Sequence, residues 1–221
     1  FRFEVTAPDD LSVIANGVLE GEESTGGSTT WTYRADDPMA TYLASVVIGD
    51  LVFAESTSPS GVPIRDAYPR RLADAARDDF ARTGEMLATY EEWFGPYPFE
   101  VYGQVVVDEV LGFALENQTL SLFGSDLITG LGAVDAVVAH ELAHQWFGNA
   151  VSPATWQDIW LNEGFATYAE WIWEQEQGGA TIVESAARTH AVADFGVAPG
   201  NPGPEELFQP AVYLRGGLAV H

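Results

Sequence analysis

Two histidines four positions apart are the residues of this sequence whose types and spacing point most directly to chemistry. His140 and His144 flank Glu141 in the segment HELAH. Positions i and i+4 of a helix lie on one face, so both imidazoles can bind the same metal ion. Glu141 stands beside that face, where its carboxylate can reach a water molecule on the metal. The segment therefore predicts metal-assisted hydrolysis.

A third ligand is needed, because a catalytic zinc ion takes three protein ligands and keeps a fourth position for water. Glu163 follows His144 by nineteen positions, in the segment WLNEG, and is the candidate. The sequence thus predicts one Zn²⁺ bound by His140, His144 and Glu163, with zinc favoured by the types of ligand. The alternative is that both histidines are buried helix residues with ordinary hydrogen-bond partners.

The composition limits the partners of the protein. Among 221 residues, 33 are acidic and nine are basic, which gives a net charge of −24, and every basic residue is arginine. This balance argues against nucleic acid and anionic membranes as partners. The absence of cysteine excludes disulfides and thiolate metal sites and leaves the compartment open. The longest apolar runs are too short to span a membrane, and nothing in the sequence indicates an oligomeric state.

The elements expected to position these residues follow from periodicity. Residues 1–57 contain alternating strands, including one that enters a turn at Asn16-Gly17. A boundary rich in Ser, Pro and Gly follows at residues 56–63. Beyond it we predict helices and a few strands, so the chain is α+β. The predicted helices cover about 70–94, 133–147, 158–176, 181–193 and 213 onward, and strands or extended segments cover 42–48, 101–107 and 112–123.

Four segments together resemble the M1 family of zinc aminopeptidases, a group of gluzincins. They are HELAHQWFGN from His140, WLNEGFA from Trp160, GFALEN from Gly112 and YLRG from Tyr213. The sequence departs from the family pattern at Leu115, where Met is usual, and at Arg215, where Lys is usual. Metzincins, another zinc clan, need Gly and His at the positions that Phe147 and Ala150 occupy here.

The resemblance implies a fold and a domain division. Residues 1–57 are expected to be the last strands of an N-terminal β domain. Residues 58–221 are expected to form a truncated thermolysin-like domain with a small mixed sheet and a helical half. The sequence begins mid-strand at Phe1 and ends within a helix, so we expect it to be a piece of a longer protein. The isolated piece is expected to bind zinc and to have weak or no activity.

The resemblance also implies a peptide substrate with a free N-terminal amine. Glu141 is expected to be the general base, and Tyr213 to donate a hydrogen bond to the oxyanion. Glu116 is expected to pair with the α-amine, while the extended residues Gly112, Phe113 and Ala114 bind the substrate backbone. Two rival readings remain open at this point: a thermolysin-type endopeptidase, which does not need Glu116, and a non-catalytic scaffold.

Overall fold

The computed structural model describes all 221 residues, Phe1–His221, and they group into two units. Unit 1 comprises residues 1–88 and 97–135, and unit 2 comprises residues 89–96 and 136–221. No helix combines the length and the apolar character that crossing a membrane requires. The units follow from contacts within the fold, so the predicted domain boundary at residue 57 stays a prediction.

Unit 1 is built from ten strands in three sheets. The strands are β1 (Arg2–Pro8), β2 (Ser12–Ala15), β3 (Val18–Thr25), β4 (Ser28–Arg34), β5 (Val46–Gly49), β6 (Leu51–Thr57), β7 (Pro63–Pro69), β8 (Gln104–Val107), β9 (Ala114–Leu115) and β10 (Ser121–Gly124). The sheets have the orders β1-β4-β3, β2-β5 and β6-β7-β8-β10-β9. In the largest sheet β7, β8 and β10 run parallel, while β6 and β9 are antiparallel to their neighbours. This is the small mixed sheet that the sequence predicts.

Strand β2 is buried on both of its faces. Successive side chains of a strand point to opposite faces. Val13 and Ala15 enter an apolar core that includes Trp31. Ile14, between them, enters a second core that includes Val105 from β8. The alternation along β2 therefore contributes side chains to two cores of unit 1.

The prediction of one helix from Arg70 to Phe94 is wrong. The structure has a 3₁₀ turn (Arg70–Leu72), α1 (Ala73–Asp79) and α2 (Thr83–Phe94). The helix breaks after Asp79, whose carboxylate accepts N–H groups from Thr129, Gly130 and Gly132 at 2.7–2.8 Å. The predicted strand at 42–48 is also shorter than expected, because Thr41–Leu43 forms a 3₁₀ turn before β5 begins.

A buried carboxylate in β7 makes the stability of the fold dependent on pH. Asp66 accepts hydrogen bonds from the Gln104 N–H and the Tyr68 hydroxyl, but burial outweighs both and raises the pKa of Asp66 to about 7. A carboxyl whose pKa is higher folded than unfolded binds more protons when folded. Its contribution is therefore full in acid and is lost as the pH rises from about 4 to about 7.

We expect Asp66→Asn to flatten this part of the stability profile. The neutral amide cannot titrate, so a pH-dependent loss of up to about 4 kcal/mol between pH 4 and pH 7 disappears. Urea unfolding at several pH values measures the effect, with the exposed Asp50→Asn as the control. A slope that persists unchanged in Asp66→Asn would assign the pH dependence to other groups.

Unit 2 is helical. It contains the second half of α2, most of α3 (Asp135–Ala143), and α4 (Trp160–Glu176), α5 (Ile182–Val192) and α6 (Pro210–Val220). Helix α5 begins with a capping box in which Thr181 and Glu184 satisfy each other's backbone N–H groups. Together with the mixed sheet, this helical unit confirms the predicted α+β class.

Candidate metal centre

Helix α3 presents the two histidines on one face. The His144 N–H donates to the carbonyl of His140 at 3.3 Å, which continues the helical spacing one residue past Ala143. The two imidazole centroids are 4.8 Å apart. The i, i+4 geometry predicted from the sequence is therefore present, and both rings project from the same side of the helix.

Helix α4 brings Glu163 to these rings in its first turn. One carboxylate oxygen, Oε2, lies 3.2 Å from His140 Nε2 and 3.4 Å from His144 Nε2. One ligand atom from each of the three residues lies within 4.8 Å of the others. Phe147, after α3, stacks on Phe165 of α4 with centroids 4.3 Å apart, and this contact fixes the two segments against each other. The three predicted ligands are thus brought together.

The outward nitrogens of both histidines have oxygen partners. His140 Nδ1 lies 2.7 Å from Glu170 Oε1, and His144 Nδ1 lies 3.0 Å from the carbonyl oxygen of Phe147. An oxygen acceptor keeps a proton on Nδ1, and the Nε2 lone pair is then the one available for a metal. Both Nε2 atoms face Glu163, so two nitrogens and a carboxylate converge as a three-ligand site requires.

The histidine and glutamate side chains of this cluster stabilise one another's charged forms. Burial alone would lower the pKa of His140, but without a metal its hydrogen bonds to Glu163 and Glu170 outweigh burial and raise this pKa well above the usual value. A metal ion that binds Nε2 must therefore displace the proton that this nitrogen shares with Glu163. Burial alone would raise the pKa of Glu163, but His144 and His140 outweigh burial and lower this pKa to about 2. Glu163 is therefore a carboxylate at neutral pH, which is the form that binds a cation.

Glu170 is a partner of His140 that the sequence did not predict. It follows Glu163 by seven positions, two turns along α4, and therefore lies on the same face of that helix. Nothing in its type or local sequence distinguishes it from the other acidic residues. The spacing of seven from a predicted ligand is the signal that could have indicated it.

We expect Glu170→Ala to weaken metal binding by about 10–100-fold, because the carboxylate orients the His140 ring and strengthens its Nε2 as a donor. Competition with a chromogenic chelator measures the change. Glu176→Ala is the matched control, since it removes the same charge from the exposed end of α4. Equal metal affinities in the two variants would show that Glu170 does not support the histidine.

Glu141 is buried, with 7% of its surface exposed, although it is a charged residue on a short helix. Its charge is close enough to His140 to raise the pKa of that imidazole. Glu141 therefore lies beside the ligand cluster without belonging to the three residues that could hold the metal. This is the placement expected for a carboxylate that exchanges protons with a water molecule.

Helix α6 brings Tyr213 to the same cluster. The phenol ring stacks on His140 with centroids 5.9 Å apart and planes inclined by 28°. The helix can come this close because Gly216 packs directly against Gly164 of α4. A Cβ at Gly216 would lie 2.9 Å from the Gly164 Cα and from the Trp160 carbonyl oxygen. The glycines of the segments WLNEGFA and YLRG are therefore the contact point between α4 and α6.

Glu116 belongs to unit 1, where it directly follows the edge strand β9. Ala114 pairs with Phe123 of β10 on one side of β9, and the other side of the strand borders no further strand. Gly112 and Phe113 precede β9 and are exposed, while Glu116 is half-buried. The predicted substrate-binding residues thus lie in sequence along one sheet edge.

The sequence profile of the peptidase family M1 domain matches residues 79–195. This match covers more than half of the chain and includes the three clustered ligands. The chain belongs to peptidase family M1. The predicted resemblance to this family is confirmed.

Individual M1 proteins resemble the chain over most of its length. Aminopeptidase N of Rattus norvegicus is 30% identical over an alignment of 187 positions, which covers 78% of this chain and 19% of the rat protein. The M1 zinc metallopeptidase of Deinococcus radiodurans superposes with a TM-score of 0.87 at 34% identity and covers 100% of this chain. A mutant of that enzyme, solved with a Tyr-Ser-Ala substrate, superposes with a TM-score of 0.87 at 33% identity. The chain spans about a fifth of the rat protein and 51% of the D. radiodurans chain.

Proposed function

We propose that this chain provides the catalytic centre of a zinc-dependent aminopeptidase that removes N-terminal residues from peptides. The observation that supports this most strongly is the convergence of two histidine Nε2 atoms on the Glu163 carboxylate, with both Nδ1 atoms held by oxygens. The family and the names of its similar members support zinc as the metal and peptides as the substrate. In this proposal residues 1–57 end an N-terminal β domain and residues 58–221 form the peptidase domain.

His140, His144 and Glu163 would hold the zinc ion, and Glu141 would move the protons. Zinc in such a site acts as a Lewis acid and lowers the pKa of a water molecule to about 7. Glu141 accepts the proton of the attacking water and passes it to the amine that leaves. Burial beside the ligand cluster suits this role, because it keeps the carboxylate close to the reaction and away from competing bulk water.

Tyr213 would donate a hydrogen bond from its phenol O–H to the oxygen that becomes negative when the peptide carbonyl is attacked. A donor of this kind typically contributes about 2.7–4 kcal/mol of transition-state stabilisation. Stacking on His140 restricts the rotation of the phenol ring, so less conformational entropy is lost when the hydroxyl forms this hydrogen bond. The close helix contact at Gly216 supports the same assignment, because it determines how near α6 lies to the histidine.

Glu116 would select substrates with a free amine. Its carboxylate pairs with the positively charged α-amine, and partial burial strengthens a charge-assisted hydrogen bond of this kind. The open edge of β9 supports a role for Gly112, Phe113 and Ala114 in binding an extended substrate backbone, as in strand addition. A carboxylate at the end of an open strand edge favours an exopeptidase over an endopeptidase.

The proposal is tested with a pair of peptides that differ only in acetylation of the N-terminal amine. The aminopeptidase should cleave the free-amine peptide at its first bond and leave the acetylated one intact. Glu116→Gln should raise the KM for the free-amine peptide, while Glu23→Gln, an exposed residue of β3, should not. Cleavage of both peptides at internal bonds would favour the endopeptidase. Because the isolated 221 residues are expected to have weak or no activity, the scaffold is favoured only if a zinc-loaded longer chain that contains them also cleaves neither peptide.

A further inference from the structure

The turn that follows Glu116 has an unfavourable backbone conformation. Residues 116–120 connect β9 to β10, and residues 117–120 form a turn in which the Leu120 N–H donates to the carbonyl of Asn117 at 3.0 Å. Its third residue, Thr119, has a φ of 65°. A β-branched residue in the left-handed region costs about 1–3 kcal/mol and persists only where its surroundings impose it.

The surroundings that impose this conformation come from the segment between β2 and β3. The Gly17 N–H donates to the Thr119 hydroxyl at 2.8 Å, and the Asn16 amide donates to the carbonyl of Gln118 at 2.6 Å. Each bond joins residues 102 positions apart in the sequence. Both central residues of the strained turn are therefore held from outside their own hairpin.

Asn16 is itself fixed by its remaining hydrogen bonds. It is fully buried, its amide also donates to the Leu43 carbonyl at 3.0 Å, and its Oδ1 accepts the Ser45 N–H at 2.5 Å. Gly17 cannot be exchanged for another residue, because a Cβ there would lie 2.1 Å from the Arg34 carbonyl oxygen. The Asn16-Gly17 pair, predicted as a turn, thus also contacts residues 118 and 119, through the Asn16 amide and the backbone N–H of Gly17.

Strand β9 alone cannot fix the direction of Glu116. It has two residues, and only Ala114 and Leu115 pair with β10. We propose that Asn16 and Gly17 are positioning residues for the Glu116 carboxylate, which they orient by holding the strained turn at Thr119. This inference rests on the proposed role of Glu116 in binding the substrate amine. In this inference, the segment between β2 and β3 contributes to substrate selection.

The test compares Asn16→Ala with Glu116→Gln in the zinc-loaded protein, using an aminoacyl amide as the substrate. We expect Asn16→Ala to raise the KM at least tenfold with a smaller change in kcat and with unchanged zinc content. Hydrogen exchange of the Leu120 amide should become faster, which is a readout independent of turnover. Tyr33→Phe is the control, because it removes a buried hydrogen bond to Val13 in the same unit without contacting the turn.

A rescue separates positioning from general stability. Thr119→Gly removes the cost of the positive φ but also the hydroxyl that accepts from Gly17, so the double variant with Asn16→Ala should recover part, and not all, of the lost affinity. If Asn16→Ala does not fold, Thr119→Val removes the hydroxyl that accepts the hydrogen bond from Gly17, and a threefold or larger rise in KM is expected. An unchanged KM in the folded variants, with Glu116→Gln impaired, would overturn this inference alone. A parent protein indifferent to Glu116→Gln would overturn the proposed role of Glu116 itself.

Discussion

Glu141→Gln is expected to lower kcat by about 10²–10⁴-fold while the protein keeps its full complement of zinc. The amide is nearly the same size as the carboxylate, so the packing around this buried position changes little. It cannot accept a proton from the attacking water, and that step is the one assigned to Glu141. Steady-state turnover of an aminoacyl amide and metal content by mass spectrometry, measured on the same sample, give both quantities.

The control for this prediction is Glu176→Gln, which makes the same change of charge at the exposed end of α4. It should leave both kcat and zinc content unchanged. A Glu141→Gln variant that is as active as the parent would remove Glu141 from the mechanism. Loss of zinc together with activity would instead indicate that Glu141 stabilises the ligand cluster.

Gly216→Ala is expected to impair both stability and catalysis. The new methyl group meets the Gly164 backbone and the Trp160 carbonyl at 2.9 Å, so α6 must move away from α4. Overpacking of this kind costs about 1–3 kcal/mol of unfolding free energy. Tyr213 moves with the helix and withdraws from its place beside His140, so we expect kcat to fall by about 10–100-fold, approaching the loss in Tyr213→Phe.

Gly84→Ala is the matched control, because a Cβ at this helical glycine of α2 would meet only ordinary contacts at 3.6–3.8 Å. It should leave kcat unchanged and should slightly stabilise the helix. Urea unfolding and steady-state kinetics on both variants make the comparison. Normal kcat in a destabilised Gly216→Ala protein would show that the helix crossing does not determine the position of Tyr213.

The local parts of the candidate centre could be predicted because they depend on helix periodicity. The spacing of His140 and His144 fixes their common face whatever surrounds the helix, and the structure brings Glu163 to them as the spacing in family M1 implies. Their roles as zinc ligands stay a prediction until the metal is measured. The α+β class could also be predicted, because the alternation in residues 1–57 and the later apolar stripes have different periods.

The parts that failed depend on contacts between distant residues. The predicted helix over residues 70–94 has a continuous apolar stripe, but α1 ends at Asp79, whose carboxylate accepts hydrogen bonds from the backbone N–H groups of Thr129, Gly130 and Gly132. Gly164 and Gly216 are in contact, but nothing in either segment of the sequence predicts this pairing. Asn16 likewise gives no indication of its bond to Gln118, 102 residues away. Such pairings are decided by packing and not by local sequence.

The central claim is that His140, His144 and Glu163 bind one zinc ion, and metal content tests it most directly. Purified protein is reconstituted with zinc, dialysed and analysed by mass spectrometry beside Glu163→Ala. We predict one zinc per chain in the parent and loss or strong weakening of binding in the variant, since two histidines alone leave the site one ligand short. Absence of zinc from the reconstituted parent, or equal zinc in both proteins, would contradict the claim.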